Sequence, residues 1–259
     1  MRLLQSVSNR FKSLYLEVVN KIQVFHELDY PKRRLFLCNN IRLAGCHKEP
    51  DTVRWIEGFE KDDVVFDVGA NVGAYSLIMA CYAKHVYSFE PAFMNFSLLC
   101  KNIHENVRLG TISNNLTPFN VALAEKTGLE TLNYVNVNLG KSGHQIGGRT
   151  IDGYGKSFSP TYFQKVMAFS LDSLIETFAI PTPNHMKIDV DGIEFEILMG
   201  GDKTLSRPEL RSLLVEADFN LEKYKNLVKY LVDKGFKLND KLRITGVESN
   251  YGNCLFTRA

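Results

Sequence analysis

Five carboxylates in the C-terminal half of the chain are spaced for proton or cation chemistry. Asp189, Asp191 and Glu194 stand in the run Lys187-Ile188-Asp189-Val190-Asp191-Gly192-Ile193-Glu194, and Glu216 and Asp218 end the next apolar stretch. Residues 185–190 read as a buried strand, and alternation carried along it sets Asp189 and Asp191 on one side. Glu194 falls at the mouth of the following helix, where its charge would also complement the helix dipole. Carboxylates around one cleft can take a proton from a hydroxyl. They can equally bind magnesium or calcium, and the metal makes a bound hydroxyl more acidic. Asp189, Asp191 and Glu216 are the candidate ligands of such a divalent cation. Asp191, Glu194 and His144 are the candidate bases, although His144, alone in a glycine-rich stretch, also reads as a surface histidine. Lys187 reads as the neutralising neighbour of an acid.

A ligand site is written further upstream. Val64-Val65-Phe66-Asp67-Val68-Gly69-Ala70-Asn71-Val72-Gly73 is an apolar strand, a turn of small residues and a helix start. In open α/β sheets, ligands sit outside the carboxyl ends of the strands, where the strand order reverses. Gly69 and Gly73 remove side chains that would block a ligand. The new helix offers free backbone N–H groups suited to a carboxylate or a phosphate. The next strand, 85–89, ends in Glu90-Pro91. An acid there presents two acceptor oxygens to the two hydroxyls of a ribose. A dinucleotide site would read G-x-G-x-x-G. Here Asn71 holds the middle position and the next glycine is Gly73, which argues against a nicotinamide oxidoreductase.

Asp67-Val68-Gly69-Ala70-Asn71-Val72-Gly73 with Ser76, then Phe89-Glu90-Pro91, then Lys187-Ile188-Asp189-Val190-Asp191-Gly192 with Glu194, together resemble the ordered signature of the FkbM family of methyltransferases. The likeness covers residues 50–220. It implies a Rossmann-like class I methyltransferase fold and S-adenosyl-L-methionine as cofactor. It also implies methyl transfer to a hydroxyl oxygen of a small-molecule or glycan acceptor, often a sugar. The resemblance places Asp67, Gly69, Asn71 and Gly73 at the methionine end of the cofactor, Glu90 at the ribose and Val121-Ala122 near the adenine. Asp189 would then suit the methionine amino group as well as a metal. At position 191 the family more often carries glutamate, so Asp191 keeps the acid with a shorter reach.

The chain around these groups alternates strand and helix. Strands are expected at 64–68, 85–89, 117–122, 185–190 and 213–217. Helices are expected at 75–82, 93–106, from 194 onward and at 221–234. This alternation predicts a mainly parallel, twisted sheet with helices on both faces. Residues 236–243 and 253–257 are expected to add an antiparallel C-terminal hairpin, and 131–135 and 166–170 read as further extended segments. Upstream, 34–38 and 41–44 read as a hairpin around Asn39-Asn40. Pro50 and Asp51 open a helix carrying Val53, Trp55 and Ile56. Residues 1–49 thus read as an appendage and 50–259 as the catalytic domain. Residues 136–165 carry Gly140, Gly143, Gly147, Gly148, Gly153 and Gly155 without an apolar period. They read as a lid over the acceptor, with Gln145, Arg149 and Tyr154 to hold a sugar.

Composition narrows the function further. The 259 residues are 45% hydrophobic and 23% charged, with a net charge of +2. That allows one sizeable core but no dense basic stripe. A base-methylating enzyme would carry an Asn-Pro-Pro-Tyr-like motif where Asp189-Val190-Asp191-Gly192 stands, so nucleic acid is not an expected partner. Cys38, Cys46, Cys81, Cys100 and Cys254 form no C-x-x-C pair, which speaks for a reduced cytoplasm rather than zinc or disulfides. No stretch is apolar for long enough to cross a bilayer, and the N-terminus does not read as a signal peptide. Residues 1–28 carry apolar side chains at helical spacing from Leu3 to Phe25. They predict an amphipathic helix, packed on the domain or on a second subunit of a homodimer, or lying on an anionic membrane surface. A non-catalytic scaffold of the same fold is the rival to an enzyme.

Overall fold

The structure, a computed structural model, describes residues 24–38, 42–151, 157–218, 222–243 and 251–258. The first elements are β1 (His26–Glu27), β2 (Phe36–Leu37), α1 (Gly45–Lys48) and α2 (Pro50–Glu57). Then come β3 (Val64–Val68), α3 (Ala74–Met79), β4 (His85–Phe89), α4 (Phe93–Arg108) and β5 (Leu116–Phe119). An inserted group follows: β6 (Ala122–Leu123), β7 (Gly128–Tyr134), β8 (Gln145–Ile146) and β9 (Tyr162–Phe169). The chain continues through α5 (Leu171–Phe178), β10 (His185–Ile188), α6 (Glu194–Met199), α7 (Asp202–Leu205) and β11 (Ser212–Asp218). It closes with α8 (Glu222–Asp233), β12 (Phe236–Arg243) and β13 (Tyr251–Arg258).

Seven strands form the main sheet in the order β12-β13-β11-β10-β3-β4-β5. The five strands from β11 to β5 are parallel, and β13 runs antiparallel between β11 and β12. The fold is therefore the expected Rossmann-like α/β arrangement with an antiparallel C-terminal hairpin. The chain winds outward from β3 to β5, then crosses back to β10 on the other side of β3. The order thus reverses between β3 and β10, which makes the carboxyl ends of these two strands the place for a ligand.

Both faces of the sheet are covered, so its central strands read as continuous apolar runs. Phe66 and Val68 of β3 pack with Met186, Ile188, Leu171 and Ile197 on one face. Val65 of β3 packs with Ile56, Leu77 and Leu99 on the other. Each such fully buried side chain contributes roughly 1.5–3 kcal/mol. A second sheet, β6-β9-β7-β8, is built around the antiparallel pair β7 and β9, in which Gly128 faces Ala168 and Tyr134 faces Tyr162. The two extended segments expected at 131–135 and 166–170 are parts of this pair.

Several boundaries differ from the sequence expectation. The strand expected at 117–122 is two strands. β5 stops at Phe119, and β6 leaves the main sheet to pair with β9. Between them Asn120 turns the chain, its side-chain amide donating to the backbone oxygens of Glu90 (2.8 Å) and Pro91 (3.1 Å). β10 ends at Ile188 rather than at 190, because Asp191 takes a left-handed φ of 60° and Gly192 a φ of 123°. Strand alternation therefore does not reach Asp189 and Asp191. β2 pairs with β1, His26 against Leu37, and not with 41–44, of which residues 42–44 form turns before α1. Residues 24–28 are not helical, so the helix expected over 1–28 cannot extend through them. Residues 1–23, Asn39, Asn40, Gly153, Tyr154 and Gly155 lie outside the described residues. Leu28, Tyr30, Leu35 and Leu37 share one core with α2 and α3, so packing is continuous across position 49. No described helix is long and apolar enough to cross a membrane.

Candidate active site

β3 delivers Asp67 and Gly69 to the point where the strand order reverses. Gly69 has a φ of 84°, and a Cβ there would stand 1.9 Å from the backbone oxygen of Asp189. Its bareness lets the segment after β10 cross the end of β3. Gly73, with a φ of 87°, caps the start of α3, and a Cβ there would stand 2.5 Å from Leu99 Cδ1. Both glycines relieve contacts within the chain, and of the two only Gly69 lines the cavity.

Asn71 closes the turn in a left-handed conformation, φ 52°. Its backbone N–H donates to Glu90 Oε2 at 2.8 Å, and that of Ala92 donates to Oε1 at 2.9 Å. Burial pushes the Glu90 carboxyl up to about 7, against the pull of these two donors. A carboxylate has about four lone-pair sites, so both oxygens keep acceptor capacity. Asp67 is buried as well and accepts from Ser76 Oγ, which in turn accepts from Ser88 Oγ at 2.9 Å. Burial raises the Asp67 carboxyl above its ordinary range, against the attraction of Lys187.

Lys187 reaches the same place from β10. Its ammonium is fully buried, lies 5.0 Å from the centre of the Tyr75 ring and donates to the Asp189 carboxylate. Burial alone would raise the Asp189 carboxyl, but the Lys187 charge overrides it and holds that carboxyl below the usual range. Glu216 on β11 hydrogen-bonds Asp189, and burial together with the Asp189 charge pushes its own carboxyl well up. Lys187 thus does neutralise a neighbouring acid.

A cavity of about 580 Å³ opens above these ends, within the range of roughly 300–1,000 Å³ usual for small-ligand sites. Asp67, Gly69, Asn71, Glu90, Asp189 and Asp191 line it. Its other wall is the segment 140–145, pinned by hydrogen bonds to Asn71, Asn95 and Asp191. Asn95 Oδ1 accepts from Gly140 N–H at 2.8 Å, and Asn95 Nδ2 donates to Lys141 O at 2.9 Å. Asp191 Oδ2 accepts from Gly143 N–H at 2.6 Å, and Asp191 O accepts from Gln145 Nε2 at 2.8 Å. His144 lines the cavity between these anchors, its ring 4.5 Å from that of Tyr134. Its Nδ1 is buried with no partner among the described residues, and burial holds its pKa down to about 4. Ala122 lies in a smaller cleft of about 50 Å³ that shares Gly69, Pro91 and His144 with the larger one.

Other expected site residues stand apart. Glu194 is buried at the head of α6, outside both cavities, where its Oε1 accepts from Gly192 N–H at 2.8 Å. Burial pushes its carboxyl up to about 7. Glu216 stands behind Asp189 rather than in the wall. Arg149 pairs with Glu196 at 2.6 Å, outside the cavity. Among the described residues no group of three or more His, Cys, Asp or Glu is arranged to hold a metal ion. Asp189, the first candidate ligand, takes the Lys187 ammonium instead. Sequence reasoning missed Arg42, Lys48, Glu49, Tyr75, Asn95 and Lys141, which also line the cavity. Tyr75, one step into the helix after the glycine turn, was within reach of the motif. The others carry no local signal, because only the fold brings them there.

A family profile described as the methyltransferase FkbM domain matches residues 67–238. Hexuronic acid methyltransferase AglP of Haloferax volcanii is 29% identical over 161 residues, which make up 61% of this chain and 59% of that protein. The match therefore spans less than two thirds of that relative's length. The crystal structure of methyltransferase FkbM from Methylobacillus flagellatus KT superposes with a TM-score of 0.52 at 15% identity, over 77% of this chain and 44% of that one. That likeness is one of fold.

Proposed function

Because this chain belongs to the FkbM methyltransferase family, we propose that it transfers the methyl group of S-adenosylmethionine to a hydroxyl oxygen of a sugar, in a glycan or a glycosylated precursor. The observation that carries this reading is Glu90. Its carboxylate, at the end of β4 beside β3, is fixed by two backbone N–H groups and lines a cavity of fitting size. Its remaining acceptor sites suit the paired hydroxyls of a ribose. Asn71 Oδ1, buried without a partner among the described residues, is a further acceptor for a cofactor. Asp67, Gly69 and Asp189 would surround the methionine end, and Ala122 with Val121 the adenine. When bound, the cofactor supplies a methyl group on a cationic sulfur, already a good leaving group.

The chain's own tasks are to orient the acceptor, exclude water and take a proton. We assign the proton to His144. His144 lines the cavity, its Nδ1 is buried without a partner among the described residues, and burial keeps the ring neutral at pH 7. Asp191 already accepts from Gly143, and Glu194 lies behind the wall. The sugar as acceptor is supported by the relative that acts on a hexuronic acid. The test is to incubate the protein with S-adenosylmethionine carrying a deuterated methyl group and a glucuronic acid glycoside. Mass spectrometry should show a gain of one labelled methyl as a base-stable ether. A base-labile methyl ester would contradict transfer to a hydroxyl.

A further inference from the structure

The acids that line the cavity are all engaged from within the protein. Asp189 holds Lys187, Asp67 accepts from Ser76, Glu90 accepts from two backbone groups and Asp191 from Gly143. Glu49 accepts from Thr52 Oγ1 at 3.1 Å and Asn253 Nδ2 at 2.9 Å. The cations divide differently. Lys187 is buried and paired, whereas Arg42, Lys48 and Lys141 line the same cavity from its exposed rim. None of these three forms an ion pair among the described residues. Among the described residues these three are therefore the cations of the cavity that no carboxylate holds in an ion pair.

Position adds to this. Arg42 and Lys48 belong to the segment that joins β2 to α2, and the Arg42 charge acts on Asp189 at the end of β10. Lys141 stands on the pinned wall, where Asn71 and Asn95 both donate to its backbone oxygen. A cavity mouth with low-dielectric walls focuses the field of such cations. The guanidinium fork matches the geometry of a carboxylate or a phosphate.

We propose that Arg42 and Lys48 recognise a negative charge on the acceptor, so that the enzyme selects sugars bearing a carboxylate or a phosphate over neutral ones. This rests on the methyltransferase reading above. The experiment titrates the full chain, with S-adenosylhomocysteine present, with 4-nitrophenyl β-glucuronide, 4-nitrophenyl β-glucoside and glucose 1-phosphate. At least one anionic sugar should bind about tenfold or more tighter than the glucoside. Its affinity should fall with added salt. Whichever anion binds tighter identifies carboxylate or phosphate as the group recognised. Arg42→Ala with Lys48→Ala should abolish the preference and flatten the salt dependence, with S-adenosylhomocysteine affinity and melting temperature unchanged. Equal binding of the glucoside overturns the proposal. So does a double variant that keeps its selectivity but loses S-adenosylhomocysteine, since Arg42 would then serve the cofactor carboxylate. Failure of the unmodified protein to bind S-adenosylhomocysteine overturns the methyltransferase reading itself, and this inference with it.

Discussion

His144 is neutral at physiological pH because its burial disfavours the imidazolium, and the neutral ring is the form that accepts a proton. His144→Ala should lower kcat by about 10²–10⁴-fold while leaving S-adenosylhomocysteine binding within a few-fold of the unmodified protein. The pH–rate profile checks the sign. A base works only unprotonated, so activity should persist above pH 5 and fall as pH drops through about 4. Unchanged turnover in the variant would remove His144 from the chemistry. The residue was visible in the sequence only as a type. What makes it a candidate base is its place against Tyr134 and between the anchors at Asn95 and Asp191, and nothing local encodes that. Gly69 shows the converse. Its necessity was legible, but its reason was not, since the atom it avoids is Asp189 O, 120 residues along the chain.

The elements that hold these residues differ in how openly the sequence declares them. The strands at 64–68 and 85–89 were legible to the residue, because buried parallel strands are apolar runs bounded by polar turns. The end of β10 was not, since an apolar run does not reveal that Asp191 and Gly192 turn the chain at positive φ. The second sheet was seen only as two extended pieces. Its pairing rests on contacts that local periodicity does not carry. The first part of the wall, Gly140 and Lys141, is tied to a distant helix by Asn95 of α4, which is 2% exposed. Asn95→Ala should leave the Gly140 N–H short of a partner and Lys141 O held by Asn71 alone, at a stability cost of about 1–3 kcal/mol. Hydrogen exchange at residues 140–144 should then quicken while exchange in β3 and β10 stays slow. Unaltered exchange at 140–144 would mean that the wall is held by other contacts.

The whole molecule separates its two ends. At the carboxyl ends of the strands lies the cavity. At the opposite ends, Ser212 Oγ, His185 and Asp63 are linked at 2.6 and 2.9 Å. That is the connectivity of a hydrolytic triad, yet Ser212 is buried and bonded to Trp55 Nε1 at 2.8 Å, and His185 stacks on Phe59. The group lies outside both cavities and ties β10, β11 and α2 together. This end was silent in the sequence, whereas the winding of the sheet was legible from the alternation of strands and helices alone. The stability of the fold should respond to pH through Glu194, whose carboxyl burial raises from 4.5 to about 7. The folded state holds that proton more tightly than the unfolded chain. Its contribution is therefore full below pH 4.5 and lost as pH rises toward 7. Glu194→Gln should gain stability relative to the unmodified protein across that window, by at most about 3 kcal/mol. Parallel stability curves in denaturant would contradict this. The central claim, a methyltransferase cofactor site under Glu90, is tested most directly by isothermal titration with S-adenosylhomocysteine and, in parallel, with NADH. The expected result is binding of S-adenosylhomocysteine and none of NADH, with Glu90→Gln weakening the first by about tenfold or more. Binding of NADH alone would contradict the claim.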